Sequence, residues 1–264
     1  FYNAFYGRAP SGEPFTWGAV QTGNPALPFR LNPSLPQAAD LPVGGITWRT
    51  AARFCNWLHN NKSSDLSAIA NGAYDTSTFG YNGNIFTDQF ARNPDARYWI
   101  PSFDERMKAV YYDPNQPNNG QNGWFTYGVN GTNTPPRYGP PGIGDANANF
   151  ENGNEFNIPL GAYPHMASPW GLLDAAGATT EWTETVRYLE GLPAARRFAG
   201  SDWTFGGITA DRIFSVGDSF PTDNRYIFGL RVAASVPNNS VIISLVVCGL
   251  LTLRRRRAIT QRSY

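Results

Sequence analysis

Before Val236 only two stretches of this chain can run as a helix for more than two turns, because glycine and proline interrupt it almost everywhere else. The chain has 27 Gly and 21 Pro, 14% aromatic residues and only 16% charged ones, so its core must be built from turns and long loops packed on aromatic anchors. With 264 residues and 41% apolar content it can bury a sizeable core. The expected fold is irregular, loop-rich α+β with two short helices and several short strands. A formal net charge of +1 gives no electrostatic reason to expect nucleic acid as a partner.

The first helix is expected from Trp48 to about His59, with Thr47 as N-cap. Trp48, Ala51, Ala52, Cys55 and Leu58 fall on one face, which makes Cys55 a small buried hydrophobe and not a reactive thiol. The second opens with Ser102-Phe103-Asp104-Glu105, a capping-box sequence, and runs to about Tyr112 with Phe103, Met107 and Val110 inward. Residues 1–40 read as loop with Trp17 and Phe29 as anchors, and residues 60–96 as a polar loop. Tyr98-Trp99-Ile100 reads as a short strand closed by Pro101. Further strands are expected at Thr180 to Val186, with Trp182 and Glu184 alternating, at Arg197 to Trp203 and at Tyr226 to Ala234, with Gly206-Gly207 marking a turn. Residues 114–169 form a long Asn/Gly/Pro-rich stretch of the kind that is functional or tied down, for example by an ion. No strand–helix alternation occurs, which argues against a doubly wound sheet.

The chain changes character at Val236. From there to Leu253 about 18 residues carry no charge, the short end of what spans a bilayer. Val241, Leu245 and Leu250 lie in this run, and Arg254, Arg255, Arg256 and Arg257 follow at once as a basic stop. The expectation is a C-terminal transmembrane helix with its arginines on the cytoplasmic side. A buried C-terminal helix is the alternative, and four consecutive arginines suit it poorly. Cys248 would lie in lipid, away from Cys55, so no disulfide is expected. The chain starts at Phe1 with no leader; either an export signal and more precede it, or it is a fragment.

Four blocks in fixed order resemble the formylglycine-generating, or sulfatase-modifying factor, family. They are Leu41-Pro42-Val43 through Trp48 to Leu58, similar to the family's "FCNWL" helix, and Tyr98 to Glu105, similar to "RLPTEAEWE". Ser168-Pro169-Trp170-Gly171-Leu172-Leu173-Asp174 through Glu181-Trp182-Thr183 is similar to "NPFGLYDMAGNVWEWT". Ala199-Gly200-Ser201-Asp202-Trp203 with Gly229-Leu230-Arg231-Val232-Ala233 is similar to "RGGSW…GFRVA". The resemblance implies a C-type-lectin-like fold over residues 1–235, its front edge missing, followed by an anchor at 236–264. Val236-Pro237, the apolar run and the arginines also resemble a PEP-CTERM sorting tail, although Asn238-Asn239 replace the usual Glu-Pro.

The family's oxidase chemistry uses a copper ion held by two thiolates, soft ligands for a soft ion. The resemblance places them two and seven residues past Trp203, where this chain has Phe205 and Ala210. Copper is therefore not expected, nor is formylglycine-generating activity. The family branch with a three-His iron site is excluded because the chain holds only His59 and His165. The resemblance also implies a calcium site with Asn149, the Phe150 carbonyl and Glu181 as oxygen donors. Ala178 and Thr180 depart from the family's turn, and a metal-free turn is the alternative. Glu181, Glu184, Asp202, Asp211, Asp218 and Asp223 concentrate in the last third, where acidic residues ordinarily cap turns or face solvent. The expected protein is an exported, membrane-tethered surface module without oxidase activity, at the cell envelope or released after sorting cleavage. It would bind a glycan or peptide, with Trp124, Phe125, Tyr127 and Tyr138 as candidate stacking aromatics. An enzyme of unrecognised chemistry on the same fold is the alternative.

Overall fold

Thr47 starts the first helix as its side chain predicts, accepting the Thr50 amide at 2.9 Å, and α1 runs Trp48–His59. The computed structural model describes residues 1–5, 7, 18–116, 122–148, 158–207 and 209–236. Trp48, Ala51, Ala52 and Cys55 are buried on the expected face, but Leu58 is only half-buried. Asn56 is fully buried instead, donating to the Ile69 and Tyr74 carbonyls and accepting the Tyr74 amide at 2.8 Å. A polar side chain with all these partners met can be buried without the usual cost, and here it fastens the following loop to the helix.

Ser102 and Glu105 close the expected capping box, and α2 runs Phe103–Tyr111. Phe103 and Val110 are buried and Met107 half-buried, while Arg106 goes into the core beside them.

The main sheet has four strands: β1 Thr180–Leu189, β2 Leu192–Ala199, β3 Gly217–Ser219 and β4 Phe228–Gly229. Their order is β3-β2-β1-β4, with β1–β2 and β2–β3 antiparallel and β1–β4 parallel. The β1–β2 hairpin turns through Glu190 and Gly191, both with positive φ (52° and 82°), the geometry of a two-residue hairpin turn. Two strand expectations are corrected here. β1 does not alternate: Thr180 to Glu184 are all buried, as in a strand covered on both faces. β2 ends at Ala199, short of Trp203, because Gly200 turns away at φ +96°.

Trp48 and Trp182 tie α1 to β1 reciprocally. The Trp48 indole donates to the Thr183 carbonyl at 3.1 Å, and the Trp182 indole donates to the Ile46 carbonyl at 2.8 Å. Both are fully buried in a core that includes Tyr74, Ile100 and Phe228. Arg196 on β2 is fully buried as well, its guanidinium 3.6 Å from the centre of the Trp48 ring.

Residues 1–40 are not all loop. They hold a short helix at Tyr2–Phe5 and a hairpin pairing Ala19–Gln21 with Phe29–Leu31, while Trp17 lies outside the described residues. The polar stretch 60–96 likewise contains a helical turn, Ser67–Ala70, and a hairpin of Tyr81–Asn82 with Ile85–Phe86. These elements are too short for periodicity to reveal. The loop with Gly206-Gly207 turns twice: Asp202 and Phe205 bond each other's backbone, and the Ala210 amide donates to the Gly207 carbonyl at 2.9 Å.

Phe1–Ala233 form one compact unit; residues from Ala234 on form another, described only to Val236. Among the described residues no helix is long and apolar enough to cross a membrane. Val241, Leu245, Leu250 and Arg254–Arg257 lie outside the described residues.

Candidate functional site

The loop from Gly200 to Asp211 carries the two positions where the family resemblance puts metal-binding thiolates. Phe205 is 62% exposed and Ala210 is buried at 4%. Neither side chain can ligate copper. The loop is held by carboxylates instead. Asp202 accepts from the Thr204 amide at 2.9 Å, the Thr204 hydroxyl at 2.5 Å and the Phe205 amide at 3.1 Å, which caps the turn. Asp211 accepts the Ser201 amide and hydroxyl, each at 2.8 Å, and the Tyr138 hydroxyl at 2.8 Å. Burial pushes the Asp211 carboxyl above the usual range, opposed by the Ser201 and Tyr138 donors and the Arg106 charge. Burial raises Asp202 too, against its three turn donors.

Beside this loop, Glu181 sits between two guanidinium groups. Arg106 Nε donates to Oε2 at 2.9 Å, and Arg231 Nε donates to Oε1 at 3.0 Å. Burial alone would raise the Glu181 carboxyl, but Arg231 and Arg106 outweigh it and hold it below the ordinary value. Both Glu181 oxygens already accept from guanidiniums, so a calcium ion there would share the carboxylate with fixed positive charge. The other expected calcium donors, Asn149 and the Phe150 carbonyl, lie outside the described residues. Among the described residues no group of three or more His, Cys, Asp and Glu could hold a metal ion.

The remaining carboxylates of the last third also fasten structure. Glu184 accepts the Tyr74 hydroxyl at 2.9 Å and the Arg92 amide at 2.6 Å. Asp218 pairs with Arg187 at 3.3 Å, and Asp223 accepts the Ser219 hydroxyl. His59 accepts the Arg97 amide at 3.2 Å, and His165 lies at the surface 3.4 Å from Asp145. The four aromatics expected to stack on a ligand serve packing. Phe125 and Tyr127 are buried, Trp124 leans on Tyr112 with ring centres 4.9 Å apart, and Tyr138 bonds Asp211. The exposed large aromatics are others, Phe205, Phe214 at 83% and Phe220 at 51% among them. Arg106 and Arg196, which the hydropathy pattern places at the surface, were hidden from sequence reasoning by their charge.

Comparison with known proteins agrees with this architecture. The sequence profile of the sulfatase-modifying factor enzyme 1-like domain matches residues 6–236. The crystal structure of CarF matches at 17% identity and a TM-score of 0.56, covering 86% of this chain and 76% of CarF. Treponema denticola variable protein 1 matches at 14% identity and a TM-score of 0.44, covering 75% of this chain and 72% of its own. PvdO from Pseudomonas aeruginosa matches at 13% identity and a TM-score of 0.43, covering 83% and 69%. No curated protein sequence matches the chain significantly. At these identities the likeness to CarF speaks for the fold alone. With a family profile spanning most of the chain, the protein belongs to the sulfatase-modifying factor enzyme 1-like family.

Proposed function

We propose that this chain is a surface binding or structural module of its family that does not form formylglycine. One observation carries the reading: an exposed phenyl group, Phe205, and a buried methyl group, Ala210, stand where two thiolates would be needed. The thiol among the described residues, Cys55, is sealed in the core on α1, and burial pushes its pKa up further from reactivity. Titration with Cu(I), together with turnover of a Cys-x-Pro-x-Arg peptide, tests the reading. No tight copper binding and no aldehyde product are expected; aldehyde above a no-protein control overturns it.

The module is exported and held at the membrane by residues 236–253, with Arg254–Arg257 on the cytoplasmic side. The uncharged run and its basic stop support this. A chain ending at Ser235 should be soluble, and the full chain should partition into membranes or be cleaved near Pro237. A full-length chain recovered intact and freely soluble contradicts the anchor. Glycans or peptides are the proposed partners, and exposed Phe205, Phe214 and Phe220 supply stacking surface of the right kind. Calcium is proposed only through Asn149 and the Phe150 carbonyl, and thermal unfolding with calcium and then with chelator tests it.

A further inference from the structure

A cavity of about 550 Å³ lies between the start of α1 and the segment after β4, apart from the loop that carries Phe205 and Ala210. Its walls are apolar, with Val43, Ile46, Phe54, Leu160, Leu230 and Val232 among them. Its charged side chains, Asp174, Glu181 and Arg231, come from one neighbourhood, and Tyr2, Thr50 and Thr179 add hydroxyls. A volume of this order suits a small molecule, and a few convergent polar groups in an apolar wall are what fixes one in place.

The polar groups are only partly committed to the fold. Arg231 uses Nε and Nη2 on Glu181 and on the carbonyls of Leu173 and Asp174, all within 3.0 Å, and its side chain stays 25% exposed. Its Nη1 takes no part in these bonds. Asp174 uses Oδ2 to accept the Gly161 amide at 2.8 Å, leaving Oδ1 without a partner among the described residues. Burial pushes the Asp174 carboxyl above the usual range, against the Gly161 amide and the Arg231 charge. Tyr2 also lines the cavity, and its hydroxyl is shielded from solvent with no hydrogen-bond partner among the described residues. An unmet buried hydroxyl is costly unless something answers it.

Charge decides the class of ligand. Two carboxylates, Asp174 and Glu181, and one guanidinium, Arg231, line the cavity, and Glu181 is already paired with Arg231 and with Arg106, which is not part of the lining, so a cavity ligand meets both a carboxylate, Asp174, and a guanidinium, Arg231. A ligand with a carboxylate alone gains Arg231 and meets Asp174; one with an amine alone does the reverse. A ligand carrying both is matched at both ends by charge-assisted hydrogen bonds.

We propose that this cavity binds a hydrophobic α-amino acid. Its ammonium group lies on Asp174 Oδ1, its carboxylate on Arg231 Nη1, and its side chain among Val43, Ile46, Phe54 and Leu230. The proposal deepens the binding-module reading and rests on it.

Calorimetric titration of the full chain with L-leucine and L-phenylalanine tests it, with leucinamide and 4-methylpentanoate as probes that each lack one charge. Both amino acids should bind, and losing either charge should weaken binding at least about tenfold. Asp174→Asn keeps the acceptor for Gly161 and tolerates the φ of +55° at this position, so the fold should persist. This variant should lose its preference for L-leucine over 4-methylpentanoate. Val43→Trp, at a half-exposed rim position, should block both amino acids. The proposal is overturned if neither amino acid binds, or if 4-methylpentanoate binds the parent as well as L-leucine does. Glycan or peptide binding without amino-acid binding removes the cavity proposal alone. Aldehyde formation in the copper assay removes the module reading and leaves amino-acid binding to be judged by Asp174→Asn.

Discussion

Ser201 meets Asp211 twice, its amide on Oδ1 and its hydroxyl on Oδ2, both at 2.8 Å. The pair closes the loop that runs from Asp202 to Ala210, and both residues are buried. In the family resemblance this loop would place thiolates around a metal. Here its two ends are fastened by a carboxylate.

Removing that carboxylate leaves a buried amide and hydroxyl without their acceptor. Asp211→Ala should therefore cost about 2–3 kcal/mol in denaturant unfolding. Asp211→Asn preserves the shape and should cost less. The pH dependence has a definite sign. Because the folded carboxyl titrates above its unfolded value, the folded state holds more protons between the two, and stability from this group rises as pH falls through that window. The parent should thus gain on Asp211→Asn between neutral pH and about pH 4.

Glu181 predicts the opposite slope. Its folded pKa is depressed by Arg231 and Arg106, so its stabilisation is fully present above the ordinary carboxylate value and is lost as pH falls through the lower folded value. Glu181→Gln leaves two buried or half-buried guanidiniums short of a charge partner and should cost about 3–5 kcal/mol near neutral pH. Unfolding curves for parent and variant should converge only below the ordinary carboxylate range. A gap that stays constant into acid would show that the charge of Glu181 is not what stabilises the cluster.

Arg196→Met should destabilise more than its hydrophobic gain suggests. Its guanidinium donates to the carbonyls of Gln89, Phe90 and Glu184, and burial lowers its pKa only to about 10, so it is charged at neutral pH. Methionine fills the space but leaves three carbonyls unmet, for an expected loss of about 3 kcal/mol or more. Arg196→Lys keeps the charge but cannot fork to three acceptors, and should fall between the two.

What the residues disclosed in advance follows from the range of the interactions involved. The two helices were legible because their caps are local: Thr47 and Thr50, or Ser102 and Glu105, lie three residues apart. The anchoring aromatics Trp48 and Trp182 were legible as apolar mass. Their reciprocal indole bonds, spanning 135 and 136 residues, were not. Nor were the contacts that shape the candidate site. Ser201 and Asp211 carry no pattern linking them, and Arg106 and Arg196 read as surface because burial of a charge depends on partners far along the chain. Tyr2 and Asp174 come to one cavity from distant parts of the chain, which no window of sequence can show.

Cys55 offers a way to read these stabilities without denaturant. In a chain ending at Ser235 it is the sole cysteine, and it is fully buried, with its thiol pKa raised by burial and then by the Glu184 charge. Alkylation by iodoacetamide should therefore proceed only through opening of the core, at a rate set by the population of the open state. The native protein should resist labelling, and full denaturation should expose the thiol at once. Arg196→Met, if it lowers stability by about 3 kcal/mol, should speed labelling by roughly two orders of magnitude. The substitution on the cavity rim, Val43→Trp, at a half-exposed position, should change the rate far less. Labelling that is fast in the native protein, and indifferent to Arg196→Met, would mean that α1 opens locally and that the buried arginine does not hold the core around it.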